Sequence, residues 1–368
     1  MSFDAGRLAN AAVSTLRAYD PGHDLPALRE RFGKVLAELG SNENPVGPSP
    51  RALEAARAAL ADAHRYPDPR GGVLRAALTA QHGLAPERFV LGNGSHELLI
   101  LLGQCFAGPG QAVMYSQFGF AVFALAVAGV GAPAICVPAL SRNHVTAPLG
   151  HDLAGMAAAL REDVRLVYLA NPNNPTGTRF EMAELEAFLA RVPEDTLVVI
   201  DEAYGEFTDA AGLASAISLL DSHPNLIVTR TFSKAHALAG LRVGYVMAHP
   251  SVVAVVERLR ESFNVNAVAL AAASAAVIDV EHLRRSTAFN ADERAWLIAA
   301  LHARGHATLP SHTNFLLLDV GSDATPLERH LFERGVIVRP MGGYGLPQTL
   351  RISIGSRAEN QRLLDALP

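Results

Sequence analysis

Short apolar runs alternate with longer amphipathic segments through the middle of the chain. The runs are rich in β-branched residues and only a few residues long, which is typical of buried strands. Residues 153–160 and 180–191 have a helical pattern and separate several of these runs. The alternation predicts a mostly parallel sheet with helices on both faces. The predicted strands lie at residues 89–91, 112–115, 134–137, 165–170, 197–200, 226–228 and 243–247.

The pattern changes after about residue 250. Helical segments follow one another and two or three strands then close the chain, which predicts a second, smaller α+β domain. The first 30 residues are polar and interrupted by proline and glycine, which predicts an arm or a short helix. We therefore predict an N-terminal arm that packs with the small domain at 1–45, a large domain at 46–260 and a small domain at 261–368.

The composition fits a folded chain of two packed units. The chain has 368 residues, of which 49% are hydrophobic and 18% charged, and this argues against disorder. Its net charge of -5 gives no electrostatic reason to bind nucleic acid. Two cysteines, Cys105 and Cys136, are too few for a disulfide framework or a zinc site, which favours a reducing compartment.

Two observations bear on location. Asp4, Arg7 and Arg17 lie within the first residues, a pattern that does not fit a signal peptide. Residues 98–141 contain no charged side chain, but glycines and prolines divide them into pieces too short to span a bilayer as one helix. We expect a helix, a strand, a helix and a strand there, and a cytoplasmic protein outside the membrane.

Polar residues follow three successive predicted strands. Residues 171–177 read Asn-Pro-Asn-Asn-Pro-Thr-Gly, residues 201–204 read Asp-Glu-Ala-Tyr, and Lys234 follows the third strand. An amine condenses with an aldehyde, whereas the neighbouring hydroxyls of Thr231 and Ser233 and the guanidinium of Arg242 suit a phosphate. Because ligands bind beyond the carboxyl ends of parallel strands, these residues predict a site for pyridoxal phosphate.

Asp201 directly follows an apolar strand, so its carboxylate is expected to be desolvated. An unpaired charge there costs on the order of several kcal/mol, and a protonated pyridine nitrogen would compensate it. Tyr204 and Asn174 are placed to donate hydrogen bonds to the phenolic oxygen of the same ring. Taken alone, Asp201 also fits a helix cap or a buried ion pair, and residues 171–177 also fit a tight double turn.

A glycine turn at residues 92–95 joins a predicted strand to a helix. Its backbone amides at Ser95 and His96 can bind an anion at the helix N-terminus. The third glycine of the dinucleotide-binding motif is missing, so a nicotinamide-dependent oxidoreductase is disfavoured. A plain strand-to-helix turn is the alternative interpretation.

Together, the motifs at 171–177, 201–204 and 231–242 resemble those of the fold-type-I pyridoxal phosphate aminotransferases. Residues 41–45, 65–67 and 335–340 add to the resemblance, which runs from about residue 30 to the end and is strongest to the histidinol-phosphate aminotransferase group. The resemblance implies the aspartate-aminotransferase-like fold: a large domain with a mostly parallel seven-stranded sheet and a smaller C-terminal domain. It also implies a homodimer with shared active sites.

The resemblance assigns roles to particular residues. Lys234 would bond covalently to the cofactor, Asp201 would pair with the pyridinium, and Asn174 and Tyr204 would contact the phenolic oxygen. The phosphate would be held by Thr231, Ser233, Arg242 and the amides of Ser95 and His96, with Tyr66 reaching it from the neighbouring subunit. Phe118 would stack on the ring, and the substrate anion would meet Arg351, with Arg339 and Asn44 nearby. The family usually has Asp or Asn at His96, and often Tyr at Phe118.

The expected activity is transamination between histidinol phosphate and 2-oxoglutarate, with Lys234 as the general base. Arg351 can serve a carboxylate and a phosphate alike. An aromatic-amino-acid aminotransferase and a pyridoxal-phosphate-dependent decarboxylase or lyase are the open alternatives. A regulatory module that only binds the cofactor is disfavoured because the short N-terminal arm leaves no room for a DNA-binding segment. Metal catalysis is disfavoured too, since only His302 and His306 have ligand-like spacing.

Overall fold

The computed structural model describes residues 3–9, 11–14, 24–33 and 36–368. Strands and helices follow the predicted order. The strands are β1 (Ala37–Glu38), β2 (Phe89–Gly92), β3 (Ala112–Ser116), β4 (Ala134–Val137), β5 (Val164–Ala170), β6 (Leu197–Asp201), β7 (Leu226–Thr231), β8 (Gly244–Met247), β9 (Ala307–Thr308), β10 (Phe315–Asp319), β11 (Val336–Ile337), β12 (Arg339–Pro340) and β13 (Thr349–Ser353). The α-helices are α1 (Ala11–Ser14), α2 (Leu25–Phe32), α3 (Pro50–Ala59), α4 (Gly72–His82), α5 (Ser95–Phe106), α6 (Ala121–Gly129), α7 (Leu153–Ala158), α8 (Met182–Leu189), α9 (Gly205–Asp209), α10 (Pro250–Leu259), α11 (Ala267–Ile278), α12 (Val280–Ala303), α13 (Thr325–Glu333) and α14 (Arg357–Ala366).

The large sheet has seven strands in the order β2-β8-β7-β6-β5-β3-β4. β8 runs antiparallel to β2 and β7, and the remaining pairs are parallel. This confirms the predicted mostly parallel sheet, including each of its seven predicted strands. The uncharged stretch at 98–141 folds as α5, β3, α6 and β4, which also agrees with the prediction.

Helices cover both faces of the large sheet. In β6, Val198 and Ile200 lie in a core cluster with residues of α7, α8 and α11, while Val199 lies in a second cluster with residues of α5, α6 and α10. Successive residues of a strand point to opposite faces, so both sets are buried. This two-sided burial explains why the strands read as continuous apolar runs.

The C-terminal part has its own antiparallel sheet, in the order β12-β13-β10-β9. Leu316 and Ile352 of this sheet pack with Leu297 and Leu301 of α12 in a third core cluster. β1 pairs in parallel with β11, so residues 37–38 are joined to the C-terminal part. The predicted smaller α+β unit is therefore present.

The predicted unit bounds at residues 45 and 260 stay predictions. Ala269 and Ala273 of α11 lie in the core cluster under the large sheet, which places this helix with the large unit. Part of the predicted arm, at residues 1, 2, 10, 15–23, 34 and 35, lies outside the described residues. Within the residues that are described, no helix is long and apolar enough to cross a membrane.

Candidate active site

Three neighbouring strands of the large sheet carry the predicted polar groups at their ends. β5, β6 and β7 are parallel neighbours, so their carboxyl ends meet at one edge of the sheet. Asp201 is the last residue of β6, Asn174 follows β5, and Lys234 follows β7. The fold therefore brings these three predicted residues to one edge.

Lys234 is largely buried, and its Nζ donates a hydrogen bond to the backbone oxygen of Asn42 at 3.2 Å. Burial lowers the pKa of Lys234 to about 8, and Arg351 acts in the same direction, whereas Glu43 opposes both. Near neutral pH a far larger fraction of this amine is neutral than in an exposed lysine. The neutral amine is the form that attacks an aldehyde or accepts a proton.

Asp201 is buried, and its Oδ1 accepts a hydrogen bond from Thr229 Oγ1 at 2.8 Å. The two residues are register partners on β6 and β7. Burial raises the pKa of Asp201 to about 6, although the bond from Thr229 opposes this shift. The raised pKa means that the chain's own groups do not offset the cost of burial, so this carboxylate suits a cationic ligand atom.

Hydroxyls, a guanidinium and a helix N-terminus converge beside Lys234. Thr231 Oγ1 lies 3.0 Å from Ser233 Oγ, and Arg242 Nη1 donates to Ser233 Oγ at 3.3 Å. A Cβ on Gly94 would lie 2.5 Å from Arg242 Nη2, so glycine there lets the guanidinium approach the first residue of α5, Ser95. Such a convergence of donors suits a phosphate.

Arg351 on β13 links the C-terminal sheet to this edge. Its Nη1 donates to Asn174 Oδ1 at 2.7 Å, and its Nη2 donates to the backbone oxygen of Gly40 at 3.0 Å.

Tyr204 Oη accepts a hydrogen bond from Asn42 Nδ2 at 3.0 Å. Burial raises the pKa of Tyr204, so its hydroxyl keeps its proton near neutral pH.

Arg351 and Arg339 are directly opposite residues of the antiparallel pair β13 and β12. Directly opposite side chains lie on the same face, and like charges in such positions are unfavourable. A single anion could therefore contact both guanidiniums. The pair is therefore a candidate anion site.

The other predicted residues are placed less directly. Phe118 is buried near the turn after β3, and His96 is half-buried, with a pKa lowered by burial and by Arg242. Asn44 Nδ2 donates to the backbone oxygens of Lys234 and Ala235, each at 3.1 Å, and so stabilises the backbone around Lys234. Its contact with the substrate stays a prediction. Tyr66 is 84% exposed and stacks on Phe263, and its contact with the phosphate of a neighbouring subunit stays a prediction.

Sequence reasoning missed Asn42, Thr229 and Arg230. Thr229 and Arg230 interrupt an otherwise apolar buried strand, and the two-residue period places Thr229 and Thr231 together on one face of it. That alternation of polar residues could have indicated a functional face of the strand. Asn42 lies in the 41–45 motif of the resemblance, but the motif does not indicate its contacts, because its partners lie far away in the sequence.

His302 and His306 do not form a metal centre with other residues. His302 Nε2 is hydrogen-bonded to the hydroxyl of Thr308 at 2.9 Å. Across the described part of the chain, no group of three or more His, Cys, Asp or Glu side chains could hold a metal ion.

The site lies in a chain whose residues 34–367 match the family model of the class I and II aminotransferases. The chain therefore belongs to this family. It is 47% identical over 358 residues to histidinol-phosphate aminotransferase 1 of Thiobacillus denitrificans, covering 96% of this chain and 91% of that protein. It is also 47% identical over 361 residues to histidinol-phosphate aminotransferase 2 of Ralstonia nicotianae, covering 96% and 95%.

A solved structure agrees with this assignment. The crystal structure of histidinol-phosphate aminotransferase from Sinorhizobium meliloti, in complex with pyridoxal-5'-phosphate, superimposes with a TM-score of 0.87. It shares 35% sequence identity and covers 98% of this chain and 96% of its own. The family resemblance and the fold class predicted from the sequence are both confirmed.

Proposed function

We propose that this protein is a pyridoxal-phosphate-dependent aminotransferase that exchanges the amino group between histidinol phosphate and 2-oxoglutarate. One observation carries the proposal: an amine with a lowered pKa, an acid with a raised pKa and a set of phosphate donors share one edge of the sheet. The names of the relatives described above support the particular substrate.

The residues at this edge fit the cofactor. Lys234 would bond to its aldehyde, Asp201 would hold its ring nitrogen, and Asn174 and Tyr204 would contact its phenolic oxygen. The phosphate would lie against Thr231, Ser233, Arg242 and the amides of Ser95 and His96, with Phe118 on the ring face. The raised pKa of Asp201 supports this arrangement, because a cationic ring nitrogen would stabilise the buried carboxylate in its charged form. When bound, pyridoxal phosphate supplies an electron sink for the carbanion left at the substrate carbon.

The chain's own contribution is proton movement and orientation. Lys234 Nζ accepts the α-proton of the substrate and later donates it, and its pKa of about 8 suits both tasks near neutral pH. Arg351 and Arg339 would hold the phosphate of histidinol phosphate in one half-reaction. The same guanidiniums would hold the carboxylate of the 2-oxo acid in the other.

A panel of amino donors assayed with 2-oxoglutarate tests the proposal. We expect glutamate to form in equal amount to the donor consumed, with histidinol phosphate giving the highest kcat/KM. Higher kcat/KM with phenylalanine or tyrosine would instead make the protein an aromatic-amino-acid aminotransferase. Carbon dioxide release without glutamate would indicate a decarboxylase and would refute transamination.

We also propose a homodimer in which Tyr66 reaches the phosphate of the partner subunit. An apolar groove between α4 and α11, lined by Val73, Leu74, Leu270 and Ile278, lies exposed on the single chain. Val73 is 74% exposed and Ile278 62% exposed, which is unusual for large apolar side chains that line one groove. A second copy of this chain would cover the groove and bring its own Tyr66 loop with it.

The substitution Val73→Asp tests the dimer. We expect the wild-type protein to sediment at about twice the 39.0 kDa of one chain and the variant at one chain mass, because a charge would be buried in the interface. Val145→Asp makes the same change at a 91% exposed position that does not line the groove and should leave the dimer intact. A dimeric Val73→Asp protein would place the interface elsewhere.

The pKa of Lys234 predicts how fast the apoprotein takes up pyridoxal phosphate. Only the neutral amine attacks the aldehyde, so the rate should rise about tenfold per pH unit below pH 8 and level off above it. Stopped-flow absorbance of cofactor uptake between pH 6 and pH 10 measures this. A rate that continues to rise up to about pH 10 would mean that Lys234 has an ordinary pKa.

The proposed enzyme is cytoplasmic and divided into the arm, large and small domains predicted above. Cys105 and Cys136 are both free thiols, which suits a reducing compartment. The separate core clusters of the two sheets support the domain division, with α11 assigned to the large domain. Fractionation of cells and limited proteolysis of the purified protein test these two points.

A further inference from the structure

Asn42 lies in the segment between β1 and α3 and contacts both halves of the candidate site. Its side-chain Nδ2 donates to Tyr204 Oη at 3.0 Å, and its backbone oxygen accepts from Lys234 Nζ at 3.2 Å. The same backbone oxygen accepts from Asn314 Nδ2 at 3.0 Å, and its N–H donates to Ser353 Oγ at 2.7 Å. Asn42 is buried, so each of these bonds is shielded from water.

The backbone of Asn42 has a φ of 55°, in the left-handed region. This conformation is strained for most side chains and is tolerated best by glycine and asparagine. Here the left-handed backbone accompanies a carbonyl directed at Lys234 and an amide directed at Tyr204. One residue therefore contacts two of the side chains that would meet the cofactor.

The bond between Asn42 and Tyr204 has a definite direction. A tyrosine hydroxyl carries a single proton, and Tyr204 Oη already accepts the hydrogen bond from the Asn42 amide. The Tyr204 proton is thus left to donate elsewhere. Ser353 Oγ lies 3.4 Å from Asn42 Oδ1 and can donate to it, which is compatible with the amide nitrogen facing Tyr204.

We propose that Asn42 is a positioning residue: its amide leaves the Tyr204 hydroxyl proton for the phenolic oxygen of the cofactor, while its carbonyl holds Lys234 Nζ. The inference rests on the proposed function and adds to it a residue that need not touch the cofactor. A hydrogen bond from Tyr204 would stabilise the anionic form of that phenolic oxygen. The measurable consequence is the pH at which the absorbance of the bound cofactor changes.

The central variant is Asn42→Gly. Glycine adopts the left-handed backbone without strain and keeps the carbonyl, so the change removes only the amide. We expect the spectral transition of the bound cofactor to move upward by roughly 0.5 to 1 pH unit, the size of one lost hydrogen bond between neutral groups. Asn42→Asp should move it at least as far, because a carboxylate accepts the Tyr204 proton instead of donating to the hydroxyl.

A double-mutant cycle with Tyr204→Phe shows whether Asn42 acts through Tyr204. In the Tyr204→Phe background, Asn42→Gly should cause no further shift of the transition. Asn143→Asp makes the same change of charge at an exposed position as Asn42→Asp and should leave the transition in place. All spectra are recorded well below the melting temperature of each variant, so that unfolding does not contribute to the measured transition.

The possible results separate this inference from the proposed function. No shift in Asn42→Gly, or the same shift with and without the Tyr204 hydroxyl, overturns the inference while the wild-type protein still binds the cofactor and transaminates. A wild-type protein without any cofactor spectrum overturns the proposed function and the inference together. A shift that requires the Tyr204 hydroxyl supports the positioning role.

Discussion

Replacing Lys234 with alanine is expected to abolish both the covalent attachment of pyridoxal phosphate and transamination, with a loss of kcat of at least about 10⁴-fold. General acid–base catalysis alone contributes up to about this factor, and Lys234 is also the proposed point of attachment. Its largely buried amine, with a pKa lowered to about 8, is the group that the geometry offers for both roles. The decrease is measured by glutamate formation with saturating donor and 2-oxoglutarate.

The composition of the chain makes this test unusually direct. It contains two lysines, Lys34 and Lys234. Borohydride reduction, which makes the bond between cofactor and lysine permanent, should label Lys234 and leave Lys34 unlabelled in a peptide map. Lys34→Ala is the matched control and should retain the spectrum and the activity of the wild-type protein. Normal steady-state transamination by Lys234→Ala would refute the assigned role.

The strand ends of the site could be predicted from the sequence because their signals are local. Apolar runs marked β5, β6 and β7, and each run ends directly before the polar motif that it positions. Parallel neighbours must present their carboxyl ends at one edge, so predicting the strands also predicted the meeting of Asn174, Asp201 and Lys234. The fold class followed from the same alternation.

Other contacts could not be predicted because they join distant residues. Asn42 bonds to Tyr204, Lys234 and Ser353, which lie 162, 192 and 311 positions further along the chain. The 41–45 motif includes Asn42 but does not show these contacts, since they form only when the two sheets pack. Tyr66 is a different case, because its proposed contact lies in a second copy of the chain.

Arg230 is the second residue on which we expect a large effect, for a reason unrelated to catalysis. It is 1% exposed, and Thr229 and Thr231 on either side point to the opposite face of β7. Its guanidinium donates to Glu202 Oε2 at 2.8 Å and to Asp209 Oδ2 at 2.6 Å, and it lies 3.8 Å from Glu206 Oε1. The network therefore joins β7 to the segment that follows Asp201.

Arg230→Met should lower the free energy of unfolding by about 3–5 kcal/mol, because the buried carboxylates of Glu202 and Glu206 lose their cationic partner. For a chain of 368 residues this corresponds to a decrease in Tm of about 5 °C. Arg304→Met removes an exposed arginine and should change Tm little. An equally small change for Arg230→Met would mean that the methionine packs well enough to replace the ion pairs.

The stability lost in Arg230→Met should also depend on pH, and the protonation of Glu206 determines the direction of that dependence. Burial raises the pKa of Glu206 to about 7, while Arg230 acts to lower it. Loss of the Arg230 charge raises this pKa further, so Glu206 of the variant binds its proton at a higher pH than Glu206 of the wild-type protein. As the pH falls from 8 to 6, the variant therefore gains more stability than the wild-type protein. The difference in Tm between the wild-type protein and Arg230→Met should therefore be larger at pH 8 than at pH 6.

Gly205 offers an independent test of the same contact. A Cβ on Gly205 would lie 2.8 Å from Arg230 Cζ, and the guanidinium cannot move away without breaking its bonds to Glu202 and Asp209. Gly205→Ala should thus destabilise the wild-type protein by more than about 1 kcal/mol, and clearly less in the Arg230→Met background, where a flexible side chain replaces the fixed one. Equal losses in both backgrounds would show that the two residues do not interact, and the close approach of α9 to β7 would need another explanation.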